Sequence, residues 1–257
     1  MSRPGALVLV IAAATLATLL RAEIAGAPEQ LPLGDRIDLG VVAVEARVGG
    51  DLVHGSGTVI DGDRGLIVTS ARTVWGATSL KVDTGLGVLH GRIVARAPCD
   101  ELALLETQPR VPGLVSLAEG AGPAPSRGAL VTAYGRRLTR VGPGLLTVPA
   151  RVVGSPLRLD GALLPESGGG PVLDVEGRLV GIVDGTGGTL SWDAVKRRVD
   201  ELQPGARRVF AGWRGQYDCV KRMHRITRAA HPAFRTEDAR LTAPVPATRI
   251  PGAEVHG

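Results

Sequence analysis

Gly55-Ser56-Gly57-Thr58-Val59-Ile60, then Asp61-Gly62-Asp63-Arg64-Gly65, then Leu66-Ile67-Val68-Thr69: two runs rich in branched residues flank five residues made almost wholly of Gly and Asp. β-Branched side chains suit a pleated surface, and Gly and Asp supply the dihedrals and local hydrogen bonds of a tight reversal, so the stretch reads as strand, turn, strand. Upstream, Val42, Val44, Ala46 and Val48 alternate with Ala43, Glu45 and Arg47, the period of a half-buried strand, and Gly49-Gly50-Asp51 turns the chain into the next run. Three strands joined by short reversals make an antiparallel meander.

Short apolar runs punctuated by Gly continue through Leu80-Lys81-Val82, Gly91-Arg92-Ile93-Val94 and Leu102-Ala103-Leu104-Leu105, and a similar set recurs between residues 129 and 183. Two successive all-β units are the natural parse. Aromatic residues make up only 3% of the chain, so the cores must be filled by Val, Leu, Ile and Ala. A helix is expected from Ser191, whose hydroxyl can cap it, with Trp192, Val195, Val199 and Leu202 on one face and Pro204-Gly205 as its stop. A second, Arg-rich amphipathic helix is expected over 207–230, with Val209, Phe210, Trp213, Tyr217, Val220 and Met223 as its apolar stripe. The Pro-containing stretch beyond it reads as irregular chain.

The formal net charge is +5, and it is not evenly spread. Residues 1–200 carry 20 groups of each sign, whereas 201–257 carry 10 basic and 5 acidic ones. Arg outnumbers Lys 27 to 3 alongside an excess of Ala, Gly and Pro. That bias follows from a GC-rich composition, and no nucleic-acid partner is expected.

Met1-Ser2-Arg3-Pro4 precedes an uncharged apolar run over residues 5–20, which ends at Arg21, and Ala25-Gly26-Ala27 offers a small-residue cleavage site. This is the pattern of an export signal, either cleaved or kept as a membrane anchor through residues 5–20. The domain parse is therefore a leader over 1–27, a linker over 28–37, a β domain over 38–203 and a C-terminal extension over 204–257. An exported, periplasmic, extracellular or envelope location is expected.

Three segments in register carry a family resemblance. Gly55-Ser56-Gly57 with Ile67-Val68-Thr69-Ser70-Ala71-Arg72-Thr73-Val74-Trp75-Gly76-Ala77 is similar to G-S-G followed by I-V-T-x-x-H-V-V-x-G-A. Asp100-Glu101-Leu102-Ala103-Leu104-Leu105 is similar to D-L-A-L-L, and Pro165-Glu166-Ser167-Gly168-Gly169-Gly170-Pro171 to G-N-S-G-G-P. Together they resemble the trypsin-like serine peptidases of the HtrA (Deg) kind. The resemblance implies an all-β fold, a trypsin-like double antiparallel β-barrel closed by C-terminal helices. It also implies that Arg72 stands at the position of the catalytic His, Glu101 at the Asp and Gly168 at the nucleophile.

Those three residue types do not suit triad chemistry. A guanidinium with a pKa above about 12 stays protonated and offers donors only, so Arg72 cannot take a proton. Gly168 has no side chain to attack with, and Glu101 has no imidazole to orient. Losing base and nucleophile together costs such a peptidase on the order of 10⁶ in rate. The expected class is thus a catalytically inactive homologue that binds a peptide or protein segment. Its backbone oxyanion hole is expected at Gly168 and Gly169, and its peptide-pairing strand edge at Ile182, Val183, Asp184 and Gly185. Arg72 and Glu101 are expected to pair, with Asp100 as the competing acid.

Two other readings stand beside this one: a weak peptidase that uses Ser167 as nucleophile, and an envelope protein whose basic tail meets acidic polymer or lipid. Cys99 and Cys219 are the two cysteines, and either a bridge or two separate thiols fits. Neither has metal-ligand spacing, and no metal or cofactor is expected.

Overall fold

The computed structural model describes residues 31–139, 142–202 and 213–233. The expected leader, the start of the second helix and the Pro-containing end fall outside the described residues. The chain divides into residues 1–35 and 36–257. The first unit contributes only the opening residues of α1 (Leu33–Gly40) to the described part, and all that follows concerns the second.

Alternating patterns become strands where the sequence places them. β1 (Val41–Val48), β2 (Asp51–Asp61), β3 (Leu66–Ser70), β4 (Ala77–Thr84), β5 (Gly87–Ala97) and β6 (Leu102–Gln108) close into a barrel in the order β1-β2-β3-β6-β5-β4. β1 meets β2 through Val44↔Gly55, and β3 meets β6 through Val68↔Leu104, both antiparallel. The second sheet holds β7 (Leu130–Thr139), β8 (Gly142–Gly154), β9 (Arg158–Leu159), β10 (Pro171–Asp174), β11 (Leu179–Val183) and β12 (Thr189–Ser191), ordered β12-β11-β10-β7-β8-β9. This is the double-barrel architecture that the sequence implies.

Small aliphatic side chains fill both interiors. Val42, Val44, Val59, Ile67, Val82 and Leu105 pack inside the first barrel, and Val131, Val152, Leu157, Val172 and Val180 inside the second. A third cluster bonds the two together: Val41, Val68, Leu104, Leu117, Leu179 and Ile182 meet the buried face of α3 (Trp192–Leu202), namely Trp192, Val195 and Val199. Each such side chain removed from water contributes about 1.5–3 kcal/mol.

Hydrogen bonds across the seam fix the barrels in one relation. Ser56 N–H donates to Gly168 O (3.0 Å), Ser56 Oγ to Glu166 O (2.6 Å) and Thr58 Oγ1 to Gly169 O (2.8 Å). Arg136 on β7 is buried, and its Nε donates to Val41 O while Nη2 reaches Asp38 O and Asp38 Oδ1. A buried cation is tolerated when its donors are satisfied in this way. Nothing in the spacing around Arg136 pointed to that role.

Past α3 the chain returns as α4 (Trp213–Ala230), which lies against the outside of the first barrel. Met223 is fully buried on Ala71 and Trp75, with Val220 beside it. Cys219 in its second turn is bridged to Cys99, with Cα atoms 5.2 Å apart. At its other end His231 Nδ1 lies 2.9 Å from Asp51 Oδ2. The helix is therefore tied down at three points along its length.

Candidate functional site

Arg72 owes its place to a single helical turn. β3 ends at Ser70, whose Oγ accepts from Arg72 N–H (3.2 Å) and so caps α2 (Ala71–Val74). The first amide of that turn, Ala71 N–H, donates to Glu101 O at 2.8 Å. Glu101 adopts φ 55, the only described residue other than Gly with positive φ. A left-handed residue costs roughly 1–2 kcal/mol, and here it lets the reversal from β5 into β6 aim its carbonyl at α2.

The two side chains meet as well. Arg72 Nε donates to Glu101 Oε2 at 3.1 Å, and Nη2 lies 3.5 Å from Oε1. The Glu101 side chain is 11% exposed and that of Arg72 33%, so the pair sits at the floor of the cleft with the guanidinium toward its mouth. Arg222 on α4 brings a second guanidinium to 3.8 Å from Glu101 Oε1. Asp100 turns the other way, with Oδ2 2.8 Å from Arg198 Nε on α3; the N–H of that contact is off the line of a hydrogen bond.

On the facing wall, Gly168 stands beside Ser70, two residues before Arg72. A Cβ built there would lie 3.2 Å from Ser70 Cβ and 3.3 Å from Asp184 O, and one at Gly185 would lie 3.0 Å from Arg72 Cδ. The stem of Arg72 thus rests on Gly185, in the space that a side chain there would take.

The turn itself differs from the sequence-based expectation of an open oxyanion hole at Gly168 and Gly169. Residues 165–167 form a 3₁₀ turn, and the amides after it are all engaged: Ser167 N–H to Leu164 O, Gly168 N–H to Pro165 O, Gly169 N–H to Val183 O and Gly170 N–H to Ser167 O, at 2.7–3.0 Å. An oxyanion needs N–H groups that point at it and are otherwise unoccupied. The i→i+3 bonding of the turn takes the Ser167, Gly168 and Gly170 amides for the fold, and the end of β11 takes that of Gly169.

Ser167 is likewise turned inward. It is 2% exposed, and its Oγ lies 3.0 Å from where a Cβ on Gly135 would sit, against β7 and close to Ser56 Oγ. It offers no hydroxyl to the cleft. The reason is the frame of the Ser-Gly-Gly-Gly run: one residue upstream of the nucleophile position, a side chain points to the other side of the turn.

The expected peptide-pairing edge is also altered. Ile182 and Val183 are buried and paired on both sides, with β10 through Pro171↔Ile182 and with β12 through Ile182↔Leu190. Beyond Val183 the backbone curls. Asp184 Oδ1 accepts from Thr186 N–H (2.6 Å), Thr186 Oγ1 (2.6 Å) and Gly188 N–H (2.9 Å), and Asp184 N–H donates to Gly188 O. The carboxylate organises a tight turn where a straight edge was expected, so Asp184 and Gly185 face the cleft through a loop.

Beside Arg72 lies a cavity of about 260 Å³ whose walls include Arg72, Trp75, Pro165, Gly185 and Ile226. Trp75 Nε1 donates to His224 Nδ1 at 3.4 Å, edge-on, which requires the neutral ring with its proton on Nε2. Burial, helped by the nearby Arg228 charge, holds His224 below its ordinary value of 6.5. Among the described residues no group of three or more His, Cys, Asp and Glu converges to hold a metal ion.

A two-barrel fold with its cleft between Arg72–Glu101 and the Gly168 turn defines a class, the serine peptidase barrel pair. Residues 55–182 match the family model of the trypsin-like peptidase domain, and by that stretch the chain belongs to the trypsin-like peptidase family. No curated protein matches the chain.

Proposed function

We propose that this is an exported, catalytically silent trypsin-like domain that holds a peptide or protein segment in the groove where related domains carry their catalytic centre. One observation carries the reading: Arg72 and Glu101, which the sequence resemblance sets at the positions of base and orienting acid, form an ion pair of 3.1 Å. The engaged amides of the 165–170 turn and the inward Ser167 support it, and they weigh against hydrolysis through Ser167. The Cys99–Cys219 bridge supports an oxidising compartment.

The purified protein is expected to resist labelling by a fluorophosphonate, and labelling of Ser167 would overturn the reading. Restoring Arg72→His, Glu101→Asp and Gly168→Ser together is expected to leave proteolysis undetectable, because the turn's amides stay inward. A display selection on the intact protein is expected to enrich peptides that compete with one another for a single site. A second reading keeps one observation of its own. Lys221, Arg222, Arg225 and Arg228 are all exposed along α4, a basic face that suits acidic polymer or lipid; salt-sensitive binding to anionic vesicles would favour it.

A further inference from the structure

The cavity beside Arg72 is not a subsite of the barrel pair alone. Ile226, Thr227, Ala230 and His231 belong to α4 and the residue after it, outside the matched stretch 55–182. Val53, Trp75, Pro165 and Ile226 give it apolar walls, Arg72 gives it a charge, and no acidic residue lines it. Its 260 Å³ falls just under the roughly 300–1,000 Å³ of clefts that bury drug-sized ligands, and it suits one amino-acid residue.

Arg72 keeps donors to spare. Glu101 takes one edge of the guanidinium, through Nε and Nη2. Nη1 makes no hydrogen bond among the described residues, and the side chain is one-third exposed. An arginine presents five N–H groups in a fixed fork that matches a carboxylate. The pairing with Glu101 also stiffens the fork, so less side-chain freedom is lost when a ligand arrives.

We infer that this cavity takes the last residue of a peptide, with an apolar side chain against Val53, Pro165 and Ile226 and a free α-carboxylate on Arg72. The inference rests on the peptide-binding reading and narrows it. A chain passing through in extended form would need the edge of β11, which β10 and β12 already occupy; a chain that ends in the cavity needs no such edge.

The test is calorimetry on the intact, disulfide-bonded protein with acetyl-Ala-Ala-Leu as free acid and as C-terminal amide. The acid is expected to bind at least about tenfold more tightly, the effect of one charge-assisted hydrogen bond. Arg72→Gln is expected to erase that preference. Ala230→Trp, which fills the cavity from α4 and leaves residue 72 as Arg, is expected to weaken both ligands alike. It keeps the test decisive should Arg72→Gln fail to fold. Equal binding of acid and amide would overturn the inference and leave peptide binding standing. Binding of neither would overturn it too, and peptide binding would then stand or fall on the display selection alone.

Discussion

The two walls of the cleft are built by different means. On the first-barrel wall charged side chains pair and a helix covers them: Arg72 pairs with Glu101, Arg222 approaches from α4, and Met223 seals Ala71 and Trp75. On the second-barrel wall the glycine run matches the family motif, yet its amides serve the turn. The comparison separates two reasons for a motif. Gly169, at φ 92, would place a Cβ 2.3 Å from Ser56 O, and Gly170 would place one 1.9 Å from Tyr134 O. Close approach of the first barrel explains Gly169, and close approach of β7 within the second sheet explains Gly170, without any catalysis.

The comparison breaks most visibly at the second wall. Gly170→Ala is expected to cost at least about 3 kcal/mol or to prevent folding, because backbone must move to admit the methyl. Gly168→Ala, at φ −55 with its nearest contact at 3.1 Å, is expected to cost less than about 1.5 kcal/mol. Denaturant unfolding of the two variants checks the ranking, and equal losses would mean that the glycine run is not read by packing.

At the first wall the cover is held covalently. Replacing both cysteines by Ala is expected to cost about 3–5 kcal/mol, as for a bridge that closes a loop of 120 residues. Amide exchange should show α4 opening before the barrels, whereas simultaneous opening would make α4 an integral part of the core.

The ion pair comes next in size. Arg72→Ala strands a carboxylate that is 11% exposed but still 3.8 Å from Arg222, so a loss of about 1–2 kcal/mol is expected, below the full penalty for a buried charge. Adding Glu101→Gln should recover most of it in a double-mutant cycle. Additive losses would place the two side chains out of contact.

The smallest effect concerns pH. His224 is held neutral in the fold, with its pKa depressed below 6.5, so the unfolded chain takes up a proton first as the pH falls. Stability from this group is complete above about pH 6.5 and declines below it, toward the lower folded value. Protonation also removes the acceptor that Trp75 uses. A small loss of stability between pH 7 and 5, absent in His224→Phe, is expected from thermal melts.

Much of the fold was legible because it is written in local pattern. The alternation of Val42 to Val48, the Asp-Gly turn at 61–65 and the i, i+3, i+7 face of Trp192, Val195 and Val199 each decide an element within a dozen residues. The proximity of residues 72 and 101 followed from the family likeness: Arg72 comes just after β3 and Glu101 just before β6, at the end where Ser70 pairs with Leu102. Other features depend on distant partners. The bridge between Cys99 and Cys219 depends on where α4 docks, which no spacing reports. Arg136 is placed by carbonyls some 95 residues away. At Asp184 two local tendencies compete, strand continuation and a side-chain-capped turn, and the following Thr186 and Gly188 amides decide for the turn. In the 165–170 turn, residue types show that glycine is needed but not which way an amide faces.

The Cys99–Cys219 bond also orders events in time. At roughly 5–20 residues per second, synthesis delivers Cys219 roughly 6–24 s after Cys99. Throughout that interval the first barrel can close with a lone thiol at its rim and with Trp75 uncovered. Once sealed, the bond makes β6, the whole second sheet and α3 into one ring. A protease cut anywhere between residues 99 and 219 would then leave a single covalent molecule, which separates into two chains only on a reducing gel.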